Sequence, residues 1–470
     1  MSRLLVRGEW VEGERVDELR DRFADRPYGR MAVASAAQVA EAVDGLEAAW
    51  RASTLGPHDR FRILTRAARL IEERRETLVD LMRCEAGFTR ADGENEVGRC
   101  VQTLELSADE ARRLNGELVP MLAAAGARNR IGFTIRAPRG VVCAITPFNS
   151  PLNTVAHKVG PALAGGNAVL VKPASLTPLS AVELCRALLD AGLPPELLAL
   201  VHGPGGTVGR MLLEDQRIAF YAFTGSTGVG RQIQQAAGLR GTQLELGSIA
   251  STIVCDDADP DRAIPKILQA GFRKAGQVCT SVQRLLVDRR ILGDFTARLV
   301  EATSRLAFGD PALPETVVGP MISLADAERA ERWVAEAVSG GARVLIGGRR
   351  HDRVFEPTIL TDVDPSMRVV CEEVFAPILS ILPFDTLDEA VAIANASPYG
   401  LAAGLFTSNL HRALGVAQQL RFGGVHVNEA SSARIDAMPF GGVKDSGHGF
   451  EGPAYAIRDM TEERLITISY

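Results

Sequence analysis

Aromatic residues make up only 5% of this 470-residue chain. No uninterrupted run of about 18 apolar residues occurs, so no stretch reads as a membrane-spanning helix. The seven cysteines (Cys84, Cys100, Cys143, Cys185, Cys255, Cys279 and Cys371) include no C-x-x-C pair, and an odd number cannot close fully into disulfides. That pattern suits a reducing cytoplasm. The seven histidines form no H-x-x-x-H or His/Cys cluster at ligand spacing, so no metal site is expected. A formal net charge of -6 argues against a nucleic-acid or anionic-membrane partner. The first ten residues meet charge within a few positions and lack the apolar core of a signal peptide, and a cytoplasmic location is expected. No fixed-period repeat or low-complexity tract is present.

What is present is an ordinary globular balance, 46% hydrophobic and 23% charged. The length corresponds to about three domain units, enough for a large core and a cleft between domains. Residues 1–35 read as short strands and turns. Ser35 opens an alanine-rich helix, and further helical patterns cover 60–83, after Pro57-His58-Asp59, and 94–115. The charged run 72–76 is the solvated face of the second of these. A β excursion around Ile131 leads into a buried strand at Val141. From Val141 to Thr224, strand and helix alternate in the manner of βαβ units and a parallel, doubly wound sheet. A second α/β block follows Gly247, with a helix expected over 260–275, and the apolar end Arg464–Tyr470 reads as a strand that pairs with the Ile131 excursion or with another subunit.

Several side chains could carry chemistry. Cys279, in Gly271-Phe-Arg-Lys-Ala-Gly-Gln-Val-Cys, is a candidate nucleophile, with Gly276 letting the backbone approach a substrate. Taken alone, a cysteine in such a chain is more often packed core than reagent. Phe223-Thr-Gly225-Ser226-Thr-Gly-Val-Gly230 is a glycine turn opening a helix, where amides favour a pyrophosphate, although its spacing is not the G-x-G-x-x-G order. Lys172 and Ser175 follow a buried strand at the carboxyl edge where α/β sheets bind ligands. Asn149 leaves another strand end, as an oxyanion donor or as an Asx turn. Glu245 is a carboxylate in an apolar segment, either a structural partner of a base or a general base of raised pKa.

The order and spacing of these motifs resemble the aldehyde dehydrogenase superfamily over nearly the whole chain. The matching stretches are Thr146-Pro-Phe148-Asn149, Lys172-Pro-Ala-Ser175, Phe223-Thr-Gly225-Ser226, Leu244-Glu245-Leu-Gly, Gly276-Gln-Val-Cys279, Glu372-Glu373-Val-Phe375-Ala-Pro and Pro439-Phe-Gly-Gly-Val-Lys-Asp-Ser-Gly. The resemblance implies an α/β fold in three parts: a Rossmann-like NAD(P)-binding domain (1–125 and 139–247), an α/β catalytic domain (248–443) and a β oligomerisation element (126–138 and 454–470). It also implies a homodimer or homotetramer. Cys279 would attack an aldehyde, Asn149 and the Cys279 N–H would hold the oxyanion, and Glu245 would activate the hydrolytic water. Phe148, Lys172, Ser175, Gly205, Gly225, Ser226, Glu373 and Phe375 would line the cofactor site. Serine rather than glutamate at 175 removes a like-charge penalty against a 2′-phosphate, so NADP is expected to be accepted or preferred.

Three positions depart from the family's usual pattern: Ser248 after Leu-Glu-Leu-Gly, Phe450 before Glu451, and Ala376 after Phe375. None touches the catalytic trio. The branch is similar to lactaldehyde, non-phosphorylating glyceraldehyde-phosphate and phosphonoacetaldehyde dehydrogenases. Rival readings are a CoA-acylating dehydrogenase, which has no need of Glu245, a thiol-ester hydrolase, and a non-catalytic binding protein on the same scaffold. In relatives that oxidise phosphate-bearing aldehydes, arginines grip the anion from the helix matching 94–115 and from the position before the nucleophile. Here Val278 precedes Cys279, and an ungapped reading puts Glu105 at the helix position, where it would either oppose an anionic tail or simply face solvent, leaving Arg434 as the one candidate and that one structural. A neutral or amine-bearing aldehyde is therefore the expected substrate.

Overall fold

The computed structural model describes residues 2–126 and 128–470; residues 1 and 127, which fall in the expected cofactor and oligomerisation parts, lie outside the described residues. Two sheets, each covered by helices, organise the α/β chain. The first has the order Glu9–Val11, Leu4–Val6, Leu198–Leu200, Ala168–Lys172, Val141–Ile145, Ile218–Thr224, Gly241–Glu245 and Gly447–His448. Its five central strands run parallel, and apolar residues on both faces bury them against the flanking helices. The chain starts at Val141–Ile145, moves outward to one side through 168–172 and 198–200, and then returns to the other side with 218–224. This reversal opens a crevice at the carboxyl ends of Val141–Ile145 and Ile218–Thr224.

The second sheet has the order Arg343–Ile346, Thr358–Thr361, Ile378–Phe384, Val282–Asp288, Ala250–Val254, Ala402–Phe406 and Gly424–Val427, around its own apolar core. The chain does not stay there. Gly447–His448 pairs antiparallel with Gly241–Glu245, and Ala456, Ile457 and Met460 of the following helix pack into the first core. The last strand, Thr461–Ser469, pairs with Arg130–Pro138 of its own chain in register from Thr461↔Pro138 to Ser469↔Arg130. No helix among the described residues is long and apolar enough to cross a membrane.

Local chemistry moves several helix ends from their expected places. The Ser35 hydroxyl accepts from the Gln38 N–H and Gln38 returns the bond, so the first helix starts where the sequence put it. The segment expected as one helix over 60–83 is two, Pro57–Glu73 and Arg75–Ala86, broken at Arg74, whose guanidinium reaches Asp190. The third helix starts earlier than 94, at Arg90, because Thr89 and Asp92 form a capping box. The helix expected to reach Ala275 ends at Phe272: Lys274 and Ala275 take φ of 52° and 53°, left-handed values that no α-helix accommodates.

Candidate active site

A cavity of about 730 Å³ occupies the crevice of the first sheet and extends to the nucleophile loop of the second. Its lining includes Phe148, Asn149, Lys172, Gly205, Gly225, Ser226, Glu245, Cys279, Glu373 and Phe375. Of the expected site residues, Ser175 alone stands outside it, with its hydroxyl donating to the Gly203 carbonyl at 2.9 Å.

Glu245 ends its strand beside Thr224, and its main chain is fixed by Gly225 N–H donating to the Glu245 carbonyl at 3.0 Å. The residue is 3% exposed, yet among the described residues neither carboxyl oxygen has a hydrogen-bond partner. Burial, and then the nearby Glu451 carboxylate, push its pKa well above the usual carboxylate range. Glu451 is itself held ionised by Lys158 at 3.0 Å and Arg434 at 2.6 Å. A free, desolvated carboxyl in a cavity is poised to take a proton from a ligand or a water.

Cys279 follows a backbone held by several independent contacts. Gly276 has φ of 69°, and a Cβ there would lie 2.2 Å from the Ala376 carbonyl oxygen, so only glycine lets this loop press against Phe375-Ala376-Pro377. Gln277 braces the turn, accepting from the Ile322 N–H at 2.9 Å and donating to the Lys274 carbonyl at 3.1 Å. The Asn149 amide donates to the Gln277 carbonyl at 2.8 Å, which ties the first sheet's strand end to the nucleophile loop. Among the described residues the Cys279 N–H donates to no acceptor. Burial pushes the Cys279 thiol up to about 12, opposed by the positive charge of Arg434.

A dinucleotide suits the rest of the cavity. Gly205 and Gly206, in the turn Gly205–Gly209, have open space where a Cβ would stand, and Ser226 precedes the helix Thr227–Ala237. Lys172 is buried without a carboxylate within 4 Å among the described residues, and burial lowers its pKa to about 8. Glu373 accepts from the Ser248 N–H at 2.9 Å and burial raises it to about 7, and Lys172 donates to the Pro173 carbonyl at 3.3 Å, so a carboxyl and an ammonium both line the cavity. Phe148 and Phe375 meet edge to face at 5.9 Å between them, a rigid apolar wall for a flat ring.

Sequence reasoning missed several groups. Arg210 lines the same cavity from just after the Gly205–Gly209 turn, and Arg329 and Trp333 line it from the helix Leu324–Ser339. Lys158 was findable, as the one cation in the wholly buried helix Asn153–Ala164. A second cavity, of about 740 Å³, shares no lining residue with the first and is bounded by the helices Arg90–Arg113 and Pro260–Phe272 and the loop 429–434. It holds Arg99, Arg273 and Arg434. Of the two readings of Glu105 the solvent-facing one holds: Glu105 is exposed and outside this cavity, whereas Arg99, almost two turns earlier, faces it. An ungapped alignment of a helix misplaces a face whenever its register is off by a residue or two.

Residues 10–466 match the aldehyde dehydrogenase family model. The chain is 44% identical over 466 residues to 3-sulfolactaldehyde dehydrogenase of Priestia megaterium, covering 99% of this chain and 98% of the relative. It is 41% identical over 453 residues to aspartate-semialdehyde dehydrogenase 1 of Pseudomonas canavaninivorans, covering 96% of each. Among solved structures it is similar to glyceraldehyde-3-phosphate dehydrogenase GapN of Methanocaldococcus jannaschii complexed with NADP, with a TM-score of 0.93 and 36% identity over 97% of this chain and 100% of that one. These matches mean that the chain belongs to the aldehyde dehydrogenase family and oxidises aldehydes with NAD(P).

Proposed function

We propose that Cys279 is the nucleophile, Asn149 and the Cys279 N–H the oxyanion donors, and Glu245 the base of this oxidation. The Cys279 thiol gives up its proton, by way of Glu245, to solvent as Sγ bonds the aldehyde carbon; the carbonyl electron pair moves to oxygen, and the two donors meet the charge that develops there. NAD(P), when bound, accepts the hydride that leaves the resulting thiohemiacetal. Water then adds to the thioester as its proton passes to Glu245, and the sulfur leaves as the acid is released. The observation that carries this reading is the buried Glu245 carboxyl, with both oxygens unpartnered among the described residues, in the cavity that Cys279 lines. Mass spectrometry of Glu245→Gln after addition of aldehyde and cofactor is expected to show a trapped acyl adduct on Cys279. Turnover by that variant at the wild-type rate would overturn the role of Glu245.

For the cofactor, Lys172, Gly205, Gly225, Ser226, Glu373, Phe148 and Phe375 are the residues that would hold NAD(P), with Ser175 acting by what it is not. No carboxylate stands at 175 to repel a 2′-phosphate, and Lys172 and Arg210 line the cavity as cations. NADP is therefore accepted. The kcat/KM ratio for the two cofactors checks it, and an NAD preference above about a hundredfold, roughly 2.7 kcal/mol, would reject it. The substrate is a short polar aldehyde entering through the second cavity, which the relatives' names support: sulfolactaldehyde, aspartate semialdehyde and glyceraldehyde 3-phosphate are all short and polar. The working form is a homo-oligomer joined through the strands Arg130–Pro138 and Thr461–Ser469, which leave apolar side chains exposed.

A further inference from the structure

A third cavity, of about 210 Å³, lies at the edge of the first sheet opposite the cofactor crevice and shares no lining residue with it. Pro138, Asn167 and Leu197 line it, and each comes just before one of the parallel strands Val141–Ile145, Ala168–Lys172 and Leu198–Leu200. The pocket therefore opens at the amino ends of strands whose carboxyl ends, roughly 15 Å away, hold the cofactor crevice. Trp50, Leu64, Leu163 and Leu193 give it apolar walls. Asn167 is already matched: its side chain accepts from the Arg139 N–H at 2.9 Å and the Gly140 N–H at 3.1 Å, and donates to the Ala162 and Met460 carbonyls at 3.0 Å. Arg60 is the one charged side chain in the lining. Its Nε donates to the Gly56 carbonyl at 3.4 Å, and among the described residues no carboxylate lies within 4 Å of it. Nη1 rests against Gly166, where a Cβ would stand 2.4 Å from it, and burial lowers the pKa of the guanidinium.

A guanidinium carries five donors in a planar fork, and one held partly out of water without a counter-charge is costly unless a ligand supplies acceptors. The surroundings favour an anion in that role. A groove that shares Leu55 and Ile63 with the pocket carries Arg62, Arg66 and Arg69, on one face of the helix Pro57–Glu73, and among the described residues none of the three has a carboxylate within 4 Å. In a chain of net charge -6 this patch is positive against the average and concentrates anions at the mouth of the pocket. An apolar cavity of about 150 Å³ holds benzene, so this one has room for an apolar body of roughly six to eight carbon atoms. We propose that the pocket is a binding site for a small amphipathic monocarboxylate, with its apolar body against Trp50 and the leucines and its carboxylate on Arg60. The site is separate from the reaction at Cys279.

Calorimetry with hexanoate tests this, with hexan-1-ol as the same body without the charge and acetate as the charge without the body. Hexanoate is expected to bind one site per chain at least about tenfold more tightly than either control, and Arg60→Met to cut its affinity at least about tenfold, to the level of hexan-1-ol. Ser53→Trp, which sets a large side chain on the exposed rim of the pocket, should weaken hexanoate in the same direction. Both variants should keep the wild-type kcat/KM for aldehyde, since neither residue lines the catalytic cavity. An absence of hexanoate binding overturns the proposal, and so does binding that Arg60→Met leaves unchanged, which would place the hexanoate elsewhere. Tryptophan emission provides a reading that needs no charge variant, should Arg60→Met fold poorly. Trp50 is one of three tryptophans, and hexanoate should shift the emission of the wild type but not that of Trp50→Phe. A shift that persists in Trp50→Phe again overturns it.

Discussion

At the scale of single residues, the site depends on charges that the protein keeps out of water. Glu245 has a raised pKa, so it holds its proton to higher pH than an ordinary carboxylate, and its basic form grows as pH rises. Turnover is accordingly expected to climb with pH, about tenfold per unit on the limb below that pKa, and then level off. Glu451 contributes to the raised value. Glu451→Gln removes a negative neighbour and frees Lys158 and Arg434 beside Glu245, so the limb should move to lower pH. A pH profile of kcat for the two enzymes measures the shift; an unmoved limb would mean that another group controls the step. Asp436 works in the opposite sense. Hydrogen bonds from His157 and Arg99 hold its pKa below the unfolded value of about 4, so it contributes stability that is present above that pH and lost as pH falls below it. Asp436→Asn should flatten the acid side of a plot of thermal midpoint against pH.

At the scale of elements, a buried ion pair joins three pieces of chain. Glu96, on the helix Arg90–Arg113, accepts from Lys274, from the Ser150 hydroxyl at 2.5 Å and from the Asn153 N–H at 2.9 Å. The nucleophile loop and the strand end carrying Asn149 are thus clamped to one helix. Removing one member strands the other as a buried charge, so Lys274→Met is expected to cost about 3–5 kcal/mol in stability. Adding Glu96→Gln should restore part of that loss. Denaturant unfolding of the single and double variants tests the coupling, which is absent if the two losses simply add. The activity of Lys274→Met should fall with its stability, since the same ammonium holds the Asn149 carbonyl.

At the scale of the whole molecule, the terminal strand is the exposed part. Leu465 is 55% exposed, Ile468 50% and Ile131 46%, on a three-stranded sheet formed with Arg130–Pro138 and Leu118–Val119. Ile468 and Ile131 sit side by side on one face and Leu465 on the other, and apolar side chains left exposed on a sheet call for a partner surface. Replacing Leu465 and Ile468 by Asp should lower the assembly state measured by analytical ultracentrifugation while leaving the two main cores folded; an unchanged mass would show that the subunits meet elsewhere.

The sequence by itself determined what depends on neighbours along the chain. The alternation of strand and helix from Val141 to Thr224 and the Ser35 cap were legible because periodicity and capping are local properties, and the motif residues around Asn149, Glu245 and Cys279 because their order and spacing resemble the aldehyde dehydrogenase family. Tertiary structure decided what depends on distant partners. That Glu245 lies under the influence of Glu451, that Arg99 rather than Glu105 faces the second cavity, and that Ser175 is turned to Gly203 follow from helix register and from segments well separated along the chain meeting in one place.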